Sequence, residues 1–176
     1  MKRRIRLASV AFVLPIFLAA LAARAQDRKP STPEARANAV ALTGYLEREP
    51  LGEKAKDARS ALVVWWAQVP DLSVTLCGDL LGPLLGSKHK YEAELITQLA
   101  FSAGAYIIEH PGTSGESVDA YLAGVEGSLR AYEALLALKP KARHAFLDEL
   151  LSKRAAGTLR QYVIDTVPKC KAPAAA

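Results

Sequence analysis

Residues 89–140 read HKYEAELITQLAFSAGAYIIEHPGTSGESVDAYLAGVEGSLRAYEALLALKP. The first part, 89–109, places Leu95, Leu99, Ser102 and Tyr106 on one face at helical spacing, with Phe101 and Ile108 pointing the opposite way. A helix that is apolar all round has to be covered on several sides. This segment is therefore expected to form the buried centre of the molecule. His110-Pro111-Gly112 stops it, and Ser114 or Ser117 starts a second helix that reaches Lys139 before Pro140. Val118, Tyr121, Val125, Tyr132 and Leu136 make one stripe on that helix. Ala120, Gly124, Gly127, Ala131 and Ala134 make another, free of bulk.

Further helices are expected on both sides of this pair. Ser31 or Thr32 caps a helix over 33–49, with Pro33 in its first turn and Glu34 placed for a capping box. A second runs over 53–69, with Ala58, Leu62, Trp65 and Val69 on one stripe and Trp66 at its flank. Asp71 is read as the cap of a short buried helix within 72–85, which Pro83 breaks near Gly82. A sixth helix spans 141–155, burying Phe146, Leu147, Leu150 and Leu151, and a last short one follows Gly157. No segment keeps a period of two for long enough to be a strand. The expected fold is all-α: a compact bundle of six to seven helices with a buried central helix, forming one domain over 33–168. A polar linker (26–32) and an Ala/Pro/Lys tail (169–176) flank it.

The N-terminus has the layout of a secretory signal peptide over 1–25: Lys2, Arg3, Arg4 and Arg6, then an apolar run over 7–23, then Ala23-Arg24-Ala25. An uncleaved membrane anchor is the competing reading. The whole chain carries 23 Lys and Arg against 18 Asp and Glu. Five of those cations (Lys2, Arg3, Arg4, Arg6 and Arg24) belong to the leader, so the charge of the remainder is balanced. Without a basic excess, the counterion release that drives nucleic-acid binding is missing. Nucleic acid is therefore excluded as a partner, and so is stable membrane insertion once the leader is removed. In an oxidising compartment Cys77 and Cys170 are expected to pair, the alternative being two separate thiols.

Candidate sites are few. Asp79 and Glu109 are acids set in apolar sequence, where a raised pKa suits a general acid. His110 lies at a helix C-terminus, which favours an imidazolium. His144 and Asp148 stand one turn apart, as an oriented imidazole or as an exposed pair. The small-residue stripe is expected to pack tightly against the preceding helix, whose Ala100, Ala103 and Gly104 are also small, and Trp66 to stand at the core edge; the alternative is an interaction surface, with a pocket or anchor at Trp66 and a groove or self-contact at Gly124 and Gly127. No metal is expected, because His89, His110 and His144 share no ligand spacing and two distant Cys complete no zinc site. No cofactor is expected either, as there is no P-loop, G-x-S-x-G or C-x-x-C-H. Ser87 and Lys90 fit S-x-x-K, but the companion S-D-N and K-T-G elements are absent. Tyr132 and Pro140 have the spacing of a tetratricopeptide end, but Leu135 replaces its Ala and no second copy follows. The expectation is an exported helical domain working as a structural or interaction module, its partner another protein or a second copy of itself. The alternatives are a small envelope hydrolase using an embedded carboxylate, and a membrane-anchored domain that keeps its leader.

Overall fold

The computed structural model describes residues 30–170. The expected signal peptide (1–25), most of the expected linker and most of the expected C-terminal tail lie outside the described residues. Six α-helices follow in order: α1 (Pro33–Arg48), α2 (Ala55–Gln68), α3 (Glu92–Glu109), α4 (Val118–Leu138), α5 (Ala145–Ala155) and α6 (Leu159–Thr166). A 3-10 segment (Gly78–Leu84) stands between α2 and α3, and a 3-10 turn (Val167–Cys170) closes the described chain. No strand occurs among the described residues. The all-helical bundle is the fold that the apolar periodicity implies.

Capping chemistry sets two of the helix starts. Thr32 Oγ1 accepts from the Ala35 N–H at 3.1 Å, with Pro33 in the first turn. Ser117 Oγ accepts from the Ala120 N–H at 3.1 Å, so Ser117, and not Ser114, opens α4. At the end of α5 the chain turns through Gly157, whose φ of +70° belongs to the left-handed region that suits glycine at a helix C-terminus.

Helix α3 is central because two cores meet on it. Leu95 and Leu99 face the larger core, shared with the 3-10 segment (Leu80, Leu81, Leu84) and with Val125, Leu129, Tyr132 and Leu135 of α4. Leu147, Leu150, Leu159 and Val163 close that core from α5 and α6. Phe101 faces the smaller core, formed with Ala39 and Leu46 of α1 and Ala55, Ala58 and Leu62 of α2. Each of these leucines leaves water almost completely, which stabilises the fold by about 1.5–3 kcal/mol per side chain.

The 72–85 segment departs from the expected buried helix. Residues 72–77 form no regular element, Cys77 alone standing in the extended region as the segment's cap, and only Gly78–Leu84 winds, as 3-10 with a kink at Leu81. The β-branched Val74 and Thr75 disfavour a helix, and Pro83 denies one a donor. Asp71 does not cap this segment. Its carboxylate accepts from Ser31 N–H at 3.0 Å, from Ser31 Oγ–H at 3.1 Å and from Arg36 Nη2 at 2.7 Å. The Ser31 N–H and the Arg36 guanidinium hold Asp71 below the ordinary carboxylate range. The polar stretch before α1 is thereby fastened to the end of α2.

Cys77 and Cys170 form a disulfide. It joins the start of the 3-10 segment to the terminal turn, which Tyr162 O–H supports by donating to Leu80 O at 3.0 Å.

Candidate functional site

The small-residue stripe on α4 is not a surface. Gly124 and Gly127 are buried in the α3–α4 contact. A Cβ on Gly124 would lie 2.7 Å from Leu99 O, and one on Gly127 would overlap Ser102. Their place is the close packing against the neighbouring helix, not the alternative of a groove or partner contact. They let two backbones approach closely enough for Ser128 Oγ–H to reach Leu95 O at 2.9 Å. Above them Gln98 Nε2–H donates to Ser102 Oγ at 2.9 Å, Ser102 Oγ–H donates to Glu47 Oε1 at 2.7 Å, and Arg130 clamps both Glu47 oxygens at 2.7 and 2.8 Å. The Glu47 hydrogen bonds raise the Arg130 pKa. This network ties α1 to α3 and α4.

The three embedded titratable residues go to separate duties. Asp79 stands against the disulfide, its carboxylate within 4.8 Å of both sulfur atoms. Glu109 is exposed and lines the recess of Glu47, Ser102 and Arg130. His110 stacks on Tyr106 with ring centroids 3.9 Å apart and its Nδ1 lies 2.9 Å from Tyr106 O, where it serves the last turn of α3. They do not converge with Trp66 in one cavity.

Trp66 does line a cleft. Its ring lies on Gly104 of α3, where a Cβ would stand 2.6 Å from Cη2 and overlap the indole further in. The small residues of α3 therefore serve two contacts: Ala103 meets α4 at Gly124, and Gly104 receives the tryptophan. Trp65 packs against Trp66 edge to face at 5.0 Å and joins the smaller core. Between α2, the irregular 72–76 stretch and α3 runs an apolar groove of about 410 Å³, lined by Val63, Trp66, Leu72, Val74, Ala100 and Phe101. Leu76 and Val63 at its rim are 58% and 50% exposed. The Trp66 indole N–H is buried without an acceptor. Among the described residues, no hydrogen bond uses the backbone N–H or C=O groups of 72–76. Gly115 backs this stretch, since a Cβ there would strike Ser73 O.

A second cluster was not legible as a unit. His144 and Asp148 do not pair through the imidazole. Asp148 accepts from Tyr132 O–H at 2.9 Å and from Arg143 at 3.2 Å, while Tyr132 Oη accepts from the His144 N–H at 2.8 Å. Burial raises the Tyr132 pKa, and the Asp148 carboxylate adds to the rise. His144 turns instead toward His89, with ring centroids 5.7 Å apart. Burial lowers the pKa of His144, and His89 lowers it further. The signal in the sequence was a pair of short basic runs, Lys88-His89-Lys90 and Lys139-Pro140-Lys141, each at a helix junction.

No family model, curated protein or solved structure matches this chain.

Proposed function

We propose that this chain is an exported binding module that takes an extended, apolar segment of a partner protein into the groove beside Trp66. The observation that carries the reading is the apolar groove bordered by a stretch whose backbone groups make no internal hydrogen bond. An extended segment laid along 72–76 gives those N–H and C=O groups partners and buries alternate side chains against Trp66, Val74 and Phe101. This is the physics of β-strand addition. Export is supported by the tripartite N-terminus and by the Cys77–Cys170 bond, which suits an oxidising compartment. Among the described residues no helix is long and apolar enough to cross a membrane.

The test is selection of a displayed random-peptide library on the purified protein. Enriched peptides should alternate apolar and other residues, and they should shift tryptophan emission. Leu76→Asp at the rim and Ala100→Phe inside the groove should each weaken them roughly tenfold or more, since one buried apolar side chain is worth about 1.5–3 kcal/mol. A library that yields no enriched pattern, or peptides that bind both variants as well as the parent, refutes the reading.

A further inference from the structure

We infer that the recess between the α2–α3 connection and the α4–α5 connection is a binding site for a phosphate group carrying two or more negative charges. This inference is independent of the apolar groove. Lys88, Lys90, Lys139 and Lys141 line a hollow of about 410 Å³, whose wall is completed by His89 and Tyr91.

The four lysines come from two loops far apart in sequence, and His89 holds the loops together. Its Nε2 lies 2.9 Å from Ala142 O, which it can reach only as a donor, and its Nδ1 accepts from the Tyr91 N–H at 3.3 Å. Both ring nitrogens are thereby engaged in joining the two loops. Ser87 Oγ accepts from the His89 N–H at 3.2 Å and sets the turn. Lys88 sits within that turn at φ +61°, a left-handed conformation that a lysine holds only against its own preference.

The charge on this wall is not neutralised from within. Among the described residues, ion pairs engage Arg36, Arg130, Arg143, Lys153, Arg154 and Arg160, and none engages the four lysines of the recess. The acid nearest in sequence, Glu92, accepts instead from the Gly86 N–H at 2.8 Å. Lys90 Nζ lies 5.5 Å from the Tyr91 ring centroid, over the aromatic face. Four exposed lysines, their stems lining one concave and partly apolar wall, carry like charges within reach of the hollow, and a cleft bordered by one sign of charge favours an anion. A compact polyanion balances those charges, and ammonium groups bind phosphate through charge-assisted hydrogen bonds. The hollow is at the small end of ligand pockets, and it suits a phosphate-bearing head group better than a polymer.

The ligand source is either a soluble phosphorylated molecule or a lipid head group, and the assay separates them. Inorganic pyrophosphate is titrated calorimetrically into the purified full chain. Separately, the protein is floated with phosphatidylcholine vesicles prepared with or without phosphatidic acid. Saturable pyrophosphate binding assigns a soluble ligand, and binding only to vesicles containing phosphatidic acid assigns a lipid phosphate. Either result supports the site, provided that Lys139→Gln with Lys141→Gln weakens the binding about tenfold or more. Lys88→Gln with Lys90→Gln should do the same. Lys54→Gln with Lys56→Gln, which removes equal charge near the start of α2, should change it by less than about twofold. Circular dichroism checks that each variant is folded. The proposal is overturned if neither probe binds, if binding survives loss of the recess lysines, or if the α2 control weakens it equally.

Discussion

Replacing Gly127 with alanine is the sharpest test of the α3–α4 contact. In an exposed helix this change stabilises by about 1 kcal/mol through helix propensity. Here the added Cβ would overlap the Ser102 side chain and stand 2.6 Å from Glu47 Oε1. Ser102 is 4% exposed and held by Gln98 and Glu47, so it cannot swing away without breaking the network. Overpacking of this kind costs about 1–3 kcal/mol, and losing the hydrogen bond to the Glu47 carboxylate about 1.5–3 more. Set against the propensity gain, the net loss is about 1.5–5 kcal/mol. For a domain of this size that is a fall in Tm of roughly 3–20 °C. Thermal and urea unfolding followed by circular dichroism at helical wavelengths measure it, and size-exclusion chromatography checks that the oligomeric state is unchanged. A Gly127→Ala protein as stable as the parent would refute the close-packing account and return the stripe to the surface.

Gly44 gives the contrasting case. A Cβ there meets only the end of the flexible Arg48 side chain at 3.2 Å, so Gly44→Ala should be neutral or raise the stability by up to about 1 kcal/mol in the same urea titration. Tyr132→Phe removes the acceptor of the His144 N–H and the donor to Asp148, and should lower stability by about 1–3 kcal/mol. Serine at both Cys77 and Cys170 opens a closure spanning 93 residues. On the chain-entropy estimate it should cost about 4–5 kcal/mol, read as the gap between oxidised parent and variant in denaturant. His144 has its pKa lowered below the ordinary 6.5 by burial and His89, against an opposing pull from Asp148. The unfolded chain therefore takes up that proton first as the pH falls. The stability from this residue is complete above pH 6.5 and declines below it, and the decline between pH 7 and 5 should be shallower in His144→Asn.

The sequence made the helices legible because each carries its apolar residues at helical spacing and meets a breaker at its end. The two-sided character of α3 was read from Leu95 and Leu99 against Phe101 and Ile108, and these residues do divide between two cores. The pairing of Cys77 with Cys170 could be expected from their even number and a reading of the N-terminus. Residues 72–77 misled, because they lead into a run from Leu76 to Gly86 whose leucines and glycines are spaced like a buried helix. Beside the local effect of Val74, Thr75 and Pro83, remote contacts bear on the stretch: Ser31 and Arg36 draw off Asp71, and Gly115 leaves room for Ser73 O. Gly124 and Gly127 could not be assigned from spacing, since a smooth helix face suits a neighbouring helix in the same chain as well as a partner. The basic recess was hidden for a related reason. Its lysines become neighbours only when His89 spans from one loop to Ala142 in the other, a contact separated by 53 residues. Asp148 was assigned to His144 by its place one turn along the helix, whereas Tyr132, from another helix, reaches it.

The cystine does not embrace the whole molecule. It closes a covalent ring through α3, α4, α5 and α6, while α1 and α2 remain outside as an arm resting on α3 and α4. Entropy removed from the unfolded chain by that closure favours the ring alone. The arm is held instead by the smaller core and by the Glu47–Arg130 clamp. Trp66 belongs to the arm and Phe101 to the ring, so no covalent link joins the two walls of the groove except the backbone itself.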